Sequence, residues 1–201
     1  MTREDWLKQL TDKLRPVFAG AGHSLPEKIR TSCGFPSKGG LATKQRRIGE
    51  AWSDAASEDQ TFETFVSPMV SDALEVAAIQ VHELCHCAAG VECKHRKPFP
   101  ACAKAVGLEG KMTATIAGDD LKSTLQIFID EIGPYPHAKL VHSSNPKKQG
   151  TRMLKVVCPE CEYTVRTTRK WLDVGVPTCP CGELMKAELP DDDEDGDDNS
   201  G

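Results

Sequence analysis

Four cysteines restrict how the last third of this chain can fold. Cys158 and Cys161, then Cys179 and Cys181, form two close pairs separated by seventeen residues. Thiol pairs at such spacing converge when four thiolates share one tetrahedral ion, the logic of a zinc ribbon. The second pair has a single intervening residue, Pro180, which tightens the bite but still lets both sulfurs face one metal. An ion closed by four protein ligands has no free position, so this Zn2+ is expected to serve folding rather than chemistry. A redox Cys-x-x-Cys is the competing reading of the first pair, and the second pair argues against it. Tyr163, Val165 and Trp171 are the candidates for the ribbon's small core.

The other five of the nine cysteines, Cys33, Cys85, Cys87, Cys93 and Cys102, read as small buried residues with reduced thiols. The opening MTREDWLKQL carries acids and no apolar signal core, and no run approaches the roughly 18 apolar residues of a membrane helix. A cytoplasmic protein is therefore expected, with no membrane partner.

His82-Glu83-Leu84-Cys85-His86 is H-E-x-x-H, which has meaning only on a helix, where residues four apart share a face. The flanks supply that helix. Asp72 and Glu75 stand in capping positions, Val76, Ile79 and Leu84 continue the apolar pattern, and Gly90 stops it. Two imidazoles can then approach one Zn2+ while Glu83 reaches the water on the metal. Zinc lowers the pKa of bound water to about 7, and a neighbouring carboxylate accepts its proton during attack on a carbonyl, so hydrolysis of an amide follows. A third protein ligand is needed. His95 suits it because the chain turns back after Gly90, and Cys93 is the alternative because thiolate also binds zinc.

Elsewhere, Thr2 with Asp5 resembles a capping pair, and Trp6, Leu7, Leu10, Leu14, Val17 and Phe18 recur at helical spacing until Gly20, predicting an amphipathic helix over 1–20. Residues 28–33, 46–53 and 60–66 alternate and read as three strands of a small antiparallel sheet. Short helices are expected from Pro98 to Val106 and, capped by Asp120, from Leu121 to Ile132. The first domain, 21–137, is thus α+β. A linker is placed at 138–150, the zinc ribbon at 151–190, and an acidic disordered tail at 191–201.

That tail holds seven acidic residues, and without it the chain carries 25 basic against 23 acidic side chains rather than a net charge of -5. Within the body, residues 139–170 are basic by six. Arg152, Lys155, Arg166, Arg169 and Lys170 can face a phosphate backbone, with Trp171 or Tyr163 for stacking, so DNA, single-stranded or duplex, is a candidate partner. A solvated basic face is the plainer alternative.

VHELCH followed by KHRKPF resembles the SprT-like and Spartan zinc metalloproteases, in which H-E-x-x-H precedes a loop with a third His and a Phe four residues beyond it, here Phe99. The preceding TFETFVSPMVSDALEV is similar to the strand, Ser-Pro turn and helix that lead into that motif. The resemblance implies a zincin-like fold with His82, His86 and His95 on the catalytic Zn2+ and Glu83 as general base. Where glycines are usual around the third His, this chain has Lys94 and Arg96. The resemblance further implies that the strand near Phe62 to Val66 borders the cleft, and that the substrate is a nucleic-acid-associated protein. Bacteriophage-encoded SprT-like proteins are similar too, which would place the chain in an infected bacterial cytoplasm. Tyr135 and His137 are candidates for polarising the substrate carbonyl, against the reading that they pack a domain edge. A non-catalytic, zinc-stabilised nucleic-acid-binding or regulatory protein is the alternative function.

Overall fold

A capping box opens the chain's first helix, α1 (Arg3–Gly20): the Thr2 side chain accepts from the Asp5 N–H at 3.0 Å, and Asp5 accepts from the Thr2 N–H at 2.9 Å. The structure is a computed structural model, and it describes residues 1–42, 44–141 and 153–188. The chain divides into two compact units, 1–144 and 145–201. Among the described residues, no helix is long and apolar enough to cross a membrane.

The first unit is α+β. After α1 come β1 (Ile29–Cys33), β2 (Gly49–Trp52) and β3 (Phe62–Val66), then α2 (Ala73–Ala89), α3 (Phe99–Ala105), a hairpin of β4 (Leu108–Lys111) and β5 (Ala114–Ala117), and α4 (Asp119–Ile132). The helical stripe of α1 is part of the unit's core, because Trp6, Leu7, Leu10, Leu14 and Phe18 are fully buried in one cluster with Val76, Val81 and Leu84 of α2 and Leu125 of α4. The Trp6 indole N–H donates to the Gly133 carbonyl at 2.8 Å, fixing α1 to the end of α4. The buried Gln80 amide donates to the hydroxyls of Thr11 and Thr64, each at 3.1 Å, joining α2 to α1 and β3. Burying these polar groups is tolerated because they satisfy one another.

The sheet departs from the expected antiparallel arrangement. Its order is β1-β3-β2, with β1 parallel to β3 and β2 antiparallel to β3. Alternation reports that a segment is a strand and which face is buried, but not the direction of its partner. Here β2 is the return leg that lets β1 and β3 run the same way, and the long stretch between β1 and β2 carries the chain past the position β3 later fills. A second consequence corrects the cleft assignment: β3 is paired on both sides and is interior, the edges belong to β1 and β2, and it is β2 that lines the cleft.

The other elements follow local signals. The Asp72 carboxylate accepts from the Glu75 N–H at 2.8 Å to cap α2, and Gly90 ends it at φ +91°, a conformation glycine adopts without a Cβ clash. Gly118, rather than Asp120, takes the N-cap position of α4, with Asp119 and Asp120 in its first turn. The β4–β5 hairpin was not foreseen, since its eight paired residues include Gly110 and few β-formers.

The second unit contains β6 (Leu154–Val157), β7 (Thr164–Thr167), α5 (Arg169–Val174) and β8 (Lys186–Glu188), with sheet order β7-β6-β8 and antiparallel pairing throughout. Its core is Val156, Cys158, Cys179 and Met185, with Val165, Leu172 and Ala187 against it. Tyr163 and Trp171 are not in that core: both are exposed, because a core this small is closed by the cysteine cluster and Met185. The acidic tail, Arg152 and residues 142–150 of the expected linker lie outside the described residues.

Leu10→Ala tests whether α1 belongs to the first unit's core. Removing this fully buried side chain should cost about 2–5 kcal/mol in urea unfolding. A cost below about 1 kcal/mol would show that α1 is peripheral.

Candidate metal centres

The register of α2 puts His82 and His86 one turn apart, and the loop beyond Gly90 returns His95 to them. The potential ligand atoms of these three histidines all lie within 4.8 Å of one another, and the cluster does not include Cys93. His82 Nε2 and His95 Nε2 are 3.2 Å apart. A tetrahedral ion with metal–nitrogen bonds of 2.0–2.1 Å holds two nitrogens about 3.3–3.4 Å apart, so the spacing fits a shared ion. His82 Nδ1 lies 2.8 Å from the Thr115 hydroxyl on β5, which orients the ring with Nε2 toward His95. His86 Nδ1 is buried and has no hydrogen-bond partner among the described residues, which leaves a ring nitrogen open to a ligand.

Phe99, fully buried at the start of α3, stacks on His86 with ring centroids 4.3 Å apart and lies 5.0 Å from both His82 and His95. This apolar floor desolvates the cluster. Burial, reinforced by the neighbouring imidazole of His95, lowers the His82 pKa to about 4. Burial, with His82 and His95 next, lowers His86 to about 3. Burial and the charge of Arg47 lower His95. All three rings are therefore neutral near pH 7, the state in which a ring nitrogen can ligate a metal.

Glu83 sits beside the cluster, and burial raises its pKa to about 8, against the lowering effect of Arg47. Gly49 in β2 makes room for it: a Cβ there would lie 2.3 Å from Glu83 Oε1 and 2.8 Å from Ile79 Cγ2. Arg47 donates to Glu50 at 2.8 Å, and the Ser37 N–H and hydroxyl donate to the same carboxylate at 2.7 Å.

These residues open on a cleft of about 510 Å3. One wall is the segment 46–51, including the free edge of β2, and another is Thr113–Thr115 of the hairpin, with Lys94 and His95 also lining it. Tyr135 and His137 are elsewhere. Tyr135 packs edge-on against Trp6 with ring centroids 5.0 Å apart, and His137 lies 2.8 Å from the Pro68 carbonyl oxygen. They pack an edge of the unit, and neither lines the cleft. Gly49, Thr115 and Arg47 were missed in the sequence. Only Gly49 carried a usable signal, since a glycine inside a strand marks close approach of another group.

In the second unit the four cysteines also converge. Sγ separations are 3.4 Å for Cys161–Cys179, 3.6 Å for Cys158–Cys181 and 3.7 Å for Cys161–Cys181. The sulfurs of a tetrahedral site with 2.3 Å bonds lie about 3.8 Å apart, so this group too can hold an ion. The loop of the first pair closes with Cys158 N–H donating to Tyr163 O, and that of the second with Cys179 N–H donating to Glu183 O. Although burial opposes it, the backbone N–H groups of Cys161 and Glu160 bring the Cys158 thiol down to about 7. Cys33, Cys85, Cys87, Cys93 and Cys102 are free and buried or half-buried.

Of the basic residues, Lys155 and Arg166 are direct cross-strand partners on the face of the sheet away from its core. Arg169 pairs with Asp173 at 3.6 Å, and Lys170 lies 5.3 Å over the ring of Trp171. The remaining candidate, Arg152, is outside the described residues.

No family model matches the chain, and comparison with curated proteins and with solved structures likewise gives no match.

Glu83 has a testable pH signature in metal-free protein. Its carboxyl ionises near 4.5 when unfolded but near 8 when folded, so its contribution to stability is complete below 4.5 and lost as pH rises to 8. His82 and His86 act oppositely, losing stability as pH falls below 6.5, and are common to both proteins compared. In chelator, Glu83→Gln should melt with wild type near pH 4.5 and above it at pH 8, by the equivalent of roughly 2–4 kcal/mol. Identical melting at both pH values would show that Glu83 is solvated.

Proposed function

We propose that the first unit is a zinc-dependent endopeptidase of the SprT-like, zincin type. The observation that carries this reading is the pairing of a buried carboxylate, Glu83, with three converging neutral imidazoles at the bottom of an open cleft. His82, His86 and His95 would hold the ion. When bound, zinc supplies a Lewis acid that polarises the substrate carbonyl and acidifies water.

The chain's own residues do the rest. The Glu83 carboxylate takes the proton of the attacking water and returns it to the leaving amine, the work of a general base that then acts as general acid. Thr115 holds His82 in orientation, and Gly49 leaves the space in which the Glu83 carboxylate sits. The free edge of β2 offers backbone N–H and C=O groups to an extended substrate, which supports binding with weak sequence preference.

The cysteine group is read as a structural zinc site that folds the second unit. Its Lys155–Arg166 pair and the exposed Trp171 and Tyr163 support nucleic acid as a partner, DNA first, and hence substrates associated with it. That same surface favours the second reading, a non-catalytic nucleic-acid-binding or regulatory protein. A cytoplasmic setting, in a phage-infected bacterium, goes with the resemblance.

Hydrolysis of unfolded casein separates the two. Zinc-loaded wild type should cleave it, and Glu83→Gln should keep its metal yet lose at least about a hundredfold in rate. No cleavage by metal-replete wild type, or a variant retaining more than a tenth of the rate, would reject Glu83 as the general base.

A further inference from the structure

Lys94 is built at a backbone position that suits glycine. Its φ of +53° and ψ of −122° are those of the first central residue of a type II′ turn, closed where the Arg96 N–H donates to the Cys93 carbonyl at 3.0 Å. A Cβ is disfavoured there, and glycine takes the position without strain. Among the described residues lining the cleft, Lys94 alone combines a side chain with a positive φ. The turn itself has a purpose, since its second central residue is His95. Glycine would build that turn at lower cost, so the turn itself does not account for the lysine.

That side chain brings positive charge into the cleft beside the histidine cluster. Among the described residues, five charged side chains other than the histidines line the cleft. Arg47 is paired with Glu50, and Glu83 is buried at the bottom. Arg46 and Lys94 remain, with no carboxylate within ion-pair distance among the described residues. Arg46 is anchored instead by donating to the Ala42 carbonyl at 3.1 Å. Among the described residues, the cleft thus carries two cations without a carboxylate partner.

We propose that Lys94, with Arg46, selects peptide segments that carry an aspartate or glutamate next to the bond at the histidine cluster. This deepens the peptidase reading and rests on it. A peptide suits the cleft better than a nucleic acid: the β2 edge presents backbone groups for strand pairing, and among the described residues no Phe, Tyr or Trp lines the cleft for bases to stack on.

The test uses two internally quenched decapeptide pools, identical and randomised except for a central Asp or Asn, with full-length zinc-loaded wild type, Lys94→Gly and Lys94→Ala, each checked for metal content. Wild type should favour the Asp pool in kcat/KM by about three- to fivefold, the upper end of what one exposed ion pair supplies. In Lys94→Gly that ratio should fall to within about twofold of unity. The same variant should melt a few degrees higher than wild type, because glycine relieves the turn, whereas Lys94→Ala should lose the ratio without that gain. Fluorescence anisotropy of the pools on Glu83→Gln, with and without Lys94→Gly, reads the preference without catalysis.

Equal cleavage of both pools by wild type, or a ratio unchanged in Lys94→Gly, overturns the selectivity and leaves the peptidase reading standing. Absence of cleavage with selective, Lys94-dependent binding of the Asp pool overturns the peptidase reading alone. Absence of both cleavage and binding overturns the two together. Lys94-dependent binding of a single-stranded 12-mer oligonucleotide, with no preference between the peptide pools, would assign these cations to nucleic acid and overturn the proposal.

Discussion

The first unit depends on the register of α2. A helix returns to the same face every three to four residues, so fixing which residues enter the core also fixes which face the cleft. Val76, Val81, Leu84 and Cys85 are buried among α1, α3 and α4, and Gln80 is clamped between Thr11 and Thr64. A rotation of one residue would take Gln80 from both hydroxyls and leave a buried amide unpaired, a penalty of about 1–3 kcal/mol before any lost packing. The same register aims His82 and His86 at His95. The core of the helix and the metal cluster are therefore two results of one constraint.

The cluster itself opposes folding. Three imidazoles and a carboxyl crowd over Phe99, their pKa values are displaced by burial, and His86 keeps a ring nitrogen without a partner. Such a group is stable only because the surrounding core over-determines its position, and a bound cation would relieve much of the conflict by taking the lone pairs. The second unit shows the other limit. Its core has four buried residues, two of them cysteines of the second group, so apolar burial alone is too small to hold it, and an ion held by those cysteines would become part of the fold.

The parts of this arrangement visible in the sequence are those set by short-range rules. Thr2 with Asp5, Asp72 with Glu75, and Gly90 mark helix ends through contacts three residues apart, and the histidine and cysteine spacings mark groups whose chemistry demands convergence. His95 was placed by chain reach after Gly90 and by resemblance, and the structure puts it rather than Cys93 in the cluster. Long-range relations were less accessible. The direction of β1 relative to β3, and hence which strand offers its edge to the cleft, depends on how the chain crosses between strands. Thr115 reaches His82 from a hairpin thirty-three residues away, with nothing local to announce it. In the ribbon, Tyr163 and Trp171 are apolar enough for a core but too large for one this size, and they remain at the surface.

The central claim is that the histidine and cysteine groups are two separate metal sites, one in each compact unit. Metal analysis of monodisperse wild type, His82→Ala and Cys161→Ala by inductively coupled plasma mass spectrometry tests it directly. Two zinc ions per wild-type chain are predicted, one for each group, with each variant keeping the ion of the group it leaves intact. Loss of both ions from His82→Ala, or retention of both by it, would contradict the account.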